Sequence, residues 1–213
     1  MPVLVAPEHL AQLAPSARSS YRAAFAASAE VLDRYEISRT PARIAHFMAQ
    51  VLHESGALTI QFENLNYSPA RLPKVWPSRF QPLGALDPAA FAHAPEKLAN
   101  EVYGGRMGNV NAGDGWRFRG RGLMQLTGRE SYAKATRLLR HGYPEAPDFA
   151  QDPDAVIGSE WCLRIAAAEW FELGCNPLAD ADQLRAITRR INGGLIGLAE
   201  RTEWKRRTSA LWS

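Results

Sequence analysis

Apolar residues recur at three- and four-residue spacing along much of the chain, which is the pattern of helices that bury one face. The clearest case follows Thr40-Pro41, where a capping hydroxyl precedes a proline at the first helical position. Its apolar positions are Ile44, Phe47, Met48, Val51 and Leu52. This spacing predicts an amphipathic helix that ends near Gly56.

The same reasoning predicts the remaining elements. We expect two short helices within residues 7–35, and further helices over residues 89–103, 129–140, 154–173, 181–191 and 198–212. Four prolines make residues 66–86 a loop or broken helix, and seven glycines make residues 104–122 a loop with room for a hairpin at 111–114. Residues 123–127 predict a short extended piece. Strand signals are otherwise sparse, so the fold class is mainly α.

Composition supports one soluble domain over residues 1–213. The chain is 46% hydrophobic and 22% charged, which suffices for a core without metals or disulfides. A net charge of +3 is too small for a dense nucleic-acid surface, although it favours anionic surfaces such as a bacterial envelope. No apolar stretch is long enough to span a membrane. Two cysteines, Cys162 and Cys175, predict buried thiols, with a single bridge as the alternative.

The end of the strong helix carries the first candidate for chemistry, Glu54. Gln50 lies one turn before it, and Phe47 and Val51 share its side of the helix. A carboxyl beside apolar neighbours tends to keep its proton, as a general acid must. A solvated glutamate at a helix end is the alternative.

A second carboxyl, Glu63, follows nine positions later, beyond the Gly56 break. Glycoside hydrolysis needs two carboxyls in different environments, one to protonate the leaving oxygen and one to activate water. A surface glutamate is the alternative, and the pair alone is a weak signal.

A third segment, residues 120–132, combines close-packing glycines with neutral polar side chains. Gln125, Thr127 and Tyr132 could hydrogen-bond the acetamido and hydroxyl groups of a sugar. A glycine-rich connector with scattered polar residues is the alternative.

Other chemistries find little support. His53-Glu54 begins like a zinc-protease helix, but the position of the second histidine holds Ala57. The sequence has no nucleophile elbow, phosphate loop or dinucleotide fingerprint. We therefore expect neither a metal nor a cofactor.

Taken together, these residues resemble glycoside hydrolase family 19, which includes chitinases and many bacteriophage endolysins. The run Gly120-Arg-Gly-Leu-Met-Gln-Leu-Thr-Gly-Arg129 resembles the family's most recognisable motif, with Leu123 where proline is common. His53-Glu54-Ser55 resembles its catalytic-acid helix, and Ile191-Asn-Gly-Gly194 resembles its asparagine-containing cleft segment. The resemblance covers about residues 40–205, with the helices of residues 7–35 packed on that core.

The resemblance implies a lysozyme-like, two-lobed helical domain with a central substrate cleft and at most a small β hairpin. It implies Glu54 as the acid, Glu63 as the second carboxylate, and an inverting mechanism. The substrate-binding residues that it implies are His53, Gln125, Thr127, Tyr132 and Asn192. The short interval between the two glutamates places the chain nearer the endolysin branch.

The leading hypothesis is therefore an endolysin that cuts bacterial peptidoglycan, acts as a monomer and binds no nucleic acid. The N-terminus resembles no secretory signal. We accordingly expect cytoplasmic synthesis, release through a separate pore-forming protein, and action in the periplasm or cell wall. The basic residues 201–207 could help it meet the envelope. A chitinase and a catalytically dead sugar-binding domain are the alternatives.

Overall fold

The computed structural model describes residues 2–212 and is mainly helical, as predicted. In chain order, the described α-helices are α1 (Pro7–Leu13), α2 (Ser19–Ala26), α3 (Ser28–Arg34), α4 (Pro41–Glu54), α5 (Leu72–Val75), α6 (Pro95–Tyr103), α7 (Asp114–Arg117), α8 (Arg129–Arg140), α9 (Cys162–Glu172), α10 (Cys175–Asp180), α11 (Leu184–Asn192) and α12 (Leu198–Ser209). Short 3-10 helices cover Ile37–Arg39, Pro88–Phe91 and Pro153–Ile157. No helix in this part of the chain is both long and apolar enough to cross a membrane.

The described chain forms two compact units. Unit 1 contains the residues up to Gln61, residues Arg121–Gln125, and the residues from Ala133 onward. Unit 2 contains Phe62–Gly120 and Leu126–Tyr132.

Unit 1 is built around α4, whose residues from Ile44 to Leu52 are all buried. The Thr40 hydroxyl caps this helix by accepting a hydrogen bond from the Arg43 N–H at 3.2 Å, as the sequence predicted. Helix α12 packs along α4, and the Thr208 hydroxyl donates to the Ala45 carbonyl at 2.8 Å. The N-terminal helices, α9, α10 and α11 complete a core that also contains Leu123.

Unit 2 has a smaller core beneath α5, α6 and the Pro88–Phe91 turn. Helix α7 lies so close to α6 that a side chain at Gly115 would meet the Ala99 carbonyl oxygen at 2.4 Å. The Trp116 N–H donates to the Asn100 side chain at 2.8 Å. An isolated bridge joins Phe80 and Leu86.

Several predicted elements were wrong in their boundaries. The N-terminal region holds three helices, because the chain breaks again at Ala27. The helix expected over residues 154–173 is a 3-10 turn and α9, separated by the extended backbone of Gly158. Residues 181–191 contain only α11, since Asp182 adopts a left-handed conformation.

Two predictions of extended structure, for residues 111–114 and 123–127, were also wrong. Residues 111–114 are a turn that leads into α7 rather than a hairpin. The extended piece predicted over residues 123–127 is instead part of a turn over residues 122–125, in which Gly122 and Gln125 both have positive φ, and only Leu126 of the predicted piece is a bridge residue. Both cysteines are buried free thiols, as predicted, and burial raises the pKa of each to about 12.

Candidate active site

The end of α4 fixes the position of Glu54, its last residue. The chain reverses immediately afterwards through three left-handed residues, Gly56, Ala57 and Leu58. The Ser55 hydroxyl holds this reversal by donating to the Val51 carbonyl at 2.6 Å and accepting from the Leu58 N–H at 3.0 Å. Left-handed backbone is costly for Ala and Leu, and such strain is commonly concentrated at functional sites.

The carboxylate of Glu54 is bonded to a buried cation. One guanidinium nitrogen of Arg201, on α12, donates a hydrogen bond to the Glu54 carboxylate, and another donates to the side-chain oxygen of Gln50. The setting predicted from apolar neighbours on α4 was therefore wrong, because the partner comes from a helix 147 residues further along the chain. Gln50 is fully buried, and it presents Arg201 with a neutral acceptor beside the charged one.

The basic segment at residues 201–207 includes Arg201, which the structure places in the interior. Arg201 is only 2% exposed, so it cannot face an external surface. Lys205 is bonded to Asp182 at 2.6 Å, and Arg206 pairs with Glu203 at 2.7 Å. Arg201 is therefore part of the interior, whereas Arg206 remains at the surface, 71% exposed.

Two further titratable groups lie near Glu54. His53 packs against Gly197, where a side chain would lie 2.5 Å from the imidazole Nε2. Burial, followed by the charge of Arg201, lowers the pKa of His53. On α9, burial raises the pKa of Glu169 to about 7, against the effect of Lys134 and reinforced by the negative charge of Glu54. Glu54 therefore lies near the cation Arg201 and near Glu169, a carboxyl whose burial favours its protonated form.

Glu63 lies in unit 2, and neutral groups hold both of its carboxylate oxygens. The Tyr103 hydroxyl donates to Oε1, and the Gly120 N–H donates to Oε2 at 3.1 Å. The Glu63 N–H in turn donates to the Gly120 carbonyl at 2.9 Å. Burial, followed by the negative charge of Glu63, raises the pKa of Tyr103, so its phenol remains a proton donor at neutral pH.

The motif of residues 120–132 contributes side chains to both units. Gln125 is half-buried in unit 1, and its amide donates to the Gly122 carbonyl at 3.0 Å. Thr127 is half-buried in unit 2. Tyr132 is fully buried in unit 2, where its hydroxyl donates to the Arg119 carbonyl at 2.7 Å and its ring packs edge-on against Phe118. A sugar contact by Tyr132 does not fit this burial, and the structure gives the residue a packing role.

The predicted asparagine of the late motif ends α11. Asn192 is exposed, and Gly193 follows it with a left-handed backbone that terminates the helix. The Asn192 amide makes a long contact of 3.4 Å with the Ile196 carbonyl. Its side chain is therefore open to solvent.

The structure thus brings some of the predicted residues together. His53 and Glu54 are adjacent in unit 1, which also contains Gln125 and Asn192. Unit 2 contains Glu63, Thr127 and Tyr132. Within residues 2–212, no group of three or more His, Cys, Asp or Glu side chains is arranged to hold a metal ion.

Arg201 and Tyr103 are contacts that sequence reasoning missed. A signal for Arg201 existed, because Arg201, Trp204 and Thr208 recur at helical spacing and face the core. The other basic residues of this segment made it resemble a solvent-exposed basic surface. Tyr103 had no comparable signal in the sequence, and its contact with Glu63 joins residues 40 positions apart.

Comparison with known proteins defines the class. No protein-family model matches the chain. A glycosyl hydrolase family 19 domain-containing protein of Haemophilus influenzae is 39% identical over 160 residues, which are 74% of this chain and 74% of the relative.

Solved structures agree in fold. The chain resembles chitinase C from Streptomyces griseus with a TM-score of 0.62 at 15% identity, covering 98% of this chain and 92% of that one. It resembles a second bacterial family 19 chitinase with a TM-score of 0.60 at 21% identity, covering 98% and 95%. The fold is that of a lysozyme-like helical glycoside hydrolase. The chain belongs to glycoside hydrolase family 19.

Proposed function

We propose that this glycoside hydrolase cleaves glycosidic bonds of bacterial peptidoglycan by inverting acid/base catalysis. Glu54 protonates the leaving oxygen, while Glu63 takes a proton from the water that attacks the anomeric carbon. The observation that carries the proposal is the contrast between the two carboxyls. Glu54 is bonded to a buried guanidinium, whereas the two donors described for Glu63 are neutral.

The two carboxyls are held in ways that suit the orientation each role requires. An acid must keep a fixed direction toward the leaving oxygen, and Glu54 is held at the end of a buried helix by Arg201. A base must retain a free lone pair for water. Each oxygen of Glu63 accepts one described hydrogen bond, and a carboxylate oxygen has lone pairs for two.

Charge supports peptidoglycan as the polymer. The net charge is +3 with a sequence pI of about 9.0, and bacterial walls are anionic. On α11, Arg185, Arg189 and Arg190 are all exposed. These cations would be attracted to the carboxylates of the wall's peptide stems, whereas chitin is neutral.

Chitin is the second candidate, favoured by the likeness to solved chitinases. Both polymers present N-acetylated aminosugars, so the same polar residues could bind either. For that role we propose His53, Gln125, Thr127 and Asn192, all of which are at least partly exposed.

One paired assay tests the proposal. The protein is given outer-membrane-permeabilised bacteria, followed by turbidity, and in parallel chitin oligomers, followed by new reducing ends. Glu54→Gln serves as the inactive control in both. Loss of turbidity with little chitin cleavage is the expected result. Cleavage of chitin alone would establish the second candidate, and binding without hydrolysis of either would indicate a sugar-binding domain.

A further inference from the structure

The Glu63 carboxylate accepts hydrogen bonds from two donors in different segments of unit 2. Tyr103, the last residue of α6, reaches Oε1, and the Gly120 main chain reaches Oε2. We propose that Tyr103 is a positioning residue for Glu63, whose phenol orients the carboxylate toward the attacking water. The inference rests on the proposed role of Glu63 as the base.

The main chain of Tyr103 is itself fixed. The buried side chain of Asn109 donates to the Tyr103 carbonyl at 3.0 Å and accepts from the Arg129 N–H at 2.9 Å. Gly104 follows directly, and a side chain there would lie 2.4 Å from the Asn100 carbonyl oxygen. Only glycine fits this close approach, so the chain leaves α6 in one direction and the phenol is held in place.

Arg129 extends this support. Its guanidinium is bonded at 2.8 Å to Asp114, which is almost fully buried at the start of α7. Asn109, Arg129 and Asp114 therefore join three segments of unit 2 behind Tyr103. A donor supported in this way loses little freedom when it bonds the carboxylate, which is the condition for preorganisation.

The hydroxyl is suited to this role by its chemistry. The ring of Tyr103 packs against the apolar core of unit 2, and a neutral phenol can donate one hydrogen bond without introducing a charge. In the reaction, one O–H bond of water breaks, its proton moves to Glu63, and the water oxygen bonds to the anomeric carbon. The glycosidic C–O bond breaks at the same time, and Glu54 gives its proton to the leaving oxygen. Tyr103 keeps its own proton throughout, so it acts on Glu63 alone and contacts no reacting atom.

The test is Tyr103→Phe, which removes the hydroxyl and keeps the ring. A hydrogen bond to a charged group corresponds to a fall in kcat of about 10- to 100-fold, with KM nearly unchanged. The acidic limb of the kcat/KM profile should move to higher pH, because the phenol favours the charged carboxylate. Replacing Tyr103 with 3-fluorotyrosine keeps the donor and should restore most of the activity.

Tyr67→Phe is the matched control. Tyr67 also lies close enough to Glu63 for that charge to raise its pKa, after the larger effect of burial, yet it is not one of the two donors described. This variant should keep wild-type kcat and the wild-type pH profile. Equal losses in the two variants would overturn the positioning role.

A double variant separates this inference from the function on which it rests. With Glu63→Gln already in place, Tyr103→Phe should cause no further fall in the residual rate. A further fall of similar size, or a Tyr103→Phe enzyme within about twofold of wild type, would overturn the role of Tyr103 alone. An active Glu63→Gln enzyme would instead overturn the proposed base, and the role of Tyr103 with it.

Discussion

The pairing of Arg201 with Glu54 gives a strong prediction about stability. Replacing Arg201 with Met keeps most of the side-chain volume but leaves the acceptors on Glu54 and Gln50 without their donor. The Arg201 side chain is 2% exposed and that of Glu54 is 17% exposed. Removing one partner of a buried ion pair typically costs about 3–5 kcal/mol, and we expect about 3 kcal/mol because Glu54 retains some exposure.

Urea unfolding measures this loss, and the same helix offers a matched control. Arg206 is 71% exposed and pairs with Glu203 one turn away, so Arg206→Met should barely move the unfolding midpoint. Arg201→Lys keeps the positive charge but not the two-pronged guanidinium donor, and its urea midpoint should lie between those of Arg201→Met and Arg206→Met. Because domains are stable by only about 5–15 kcal/mol, this milder variant keeps the comparison measurable if Arg201→Met does not fold.

The refuting results are specific. Unfolding of Arg201→Met and Arg206→Met at the same urea concentration would show that the buried ion pair does not stabilise the protein. Simple addition of the losses for Arg201→Met and Glu54→Gln in the double variant would show the same, since bonded residues should show coupling of about 0.5–3 kcal/mol.

Three further predictions concern pH, the polar motif and stereochemistry. Burial raises the pKa of Glu169 from 4.5 to about 7. Below pH 4.5 this carboxyl is protonated in both the folded and the unfolded protein and the folded state keeps its full stability, part of which is lost as the pH rises through 7 because the buried carboxyl must then ionise. Glu169→Gln should therefore raise the urea midpoint more at pH 8 than at pH 4, and an equal effect at both would contradict this. Tyr132→Phe should lower the free energy of unfolding by about 0.5–1.5 kcal/mol with little change in specific activity. Gln125→Ala should slow turnover with little change in thermal midpoint. A Tyr132→Phe enzyme of unchanged stability and slower turnover would restore Tyr132 as a sugar ligand. Proton NMR of the first-formed reducing end should show inversion, and retention of the substrate's configuration would remove Glu63 from the role of base.

The sequence predicted α4 well because local signals determine it. Thr40-Pro41 defines its start and the glycine after Ser55 its end, and the apolar residues between them need no distant partner to be recognised. The helix at residues 154–173 was less predictable. Gly158 breaks it, and a single glycine within an apolar pattern does not reveal whether tertiary packing will bend the chain there.

The candidate site was predictable in its residues and not in its contacts. The motifs around Glu54 and residues 120–129 identified the family, which the relative from Haemophilus influenzae confirms. The environment of Glu54 depends on Arg201, and that of Glu63 on Tyr103, and both contacts join residues far apart in the chain. Tyr132 shows the converse, since its position in a polar motif gave no sign that its ring would be buried.

The leaving-group dependence of Glu54→Gln tests the central claim most directly. General acid catalysis contributes about 10²- to 10⁴-fold, but only where the leaving oxygen needs a proton. The variant should lose that factor on an oligosaccharide of peptidoglycan and recover most of it on the dinitrophenyl glycoside of the same sugars, whose leaving group departs unprotonated. Equal losses on both substrates, or more than a tenth of wild-type activity on the oligosaccharide, would contradict the assignment of Glu54 as the acid.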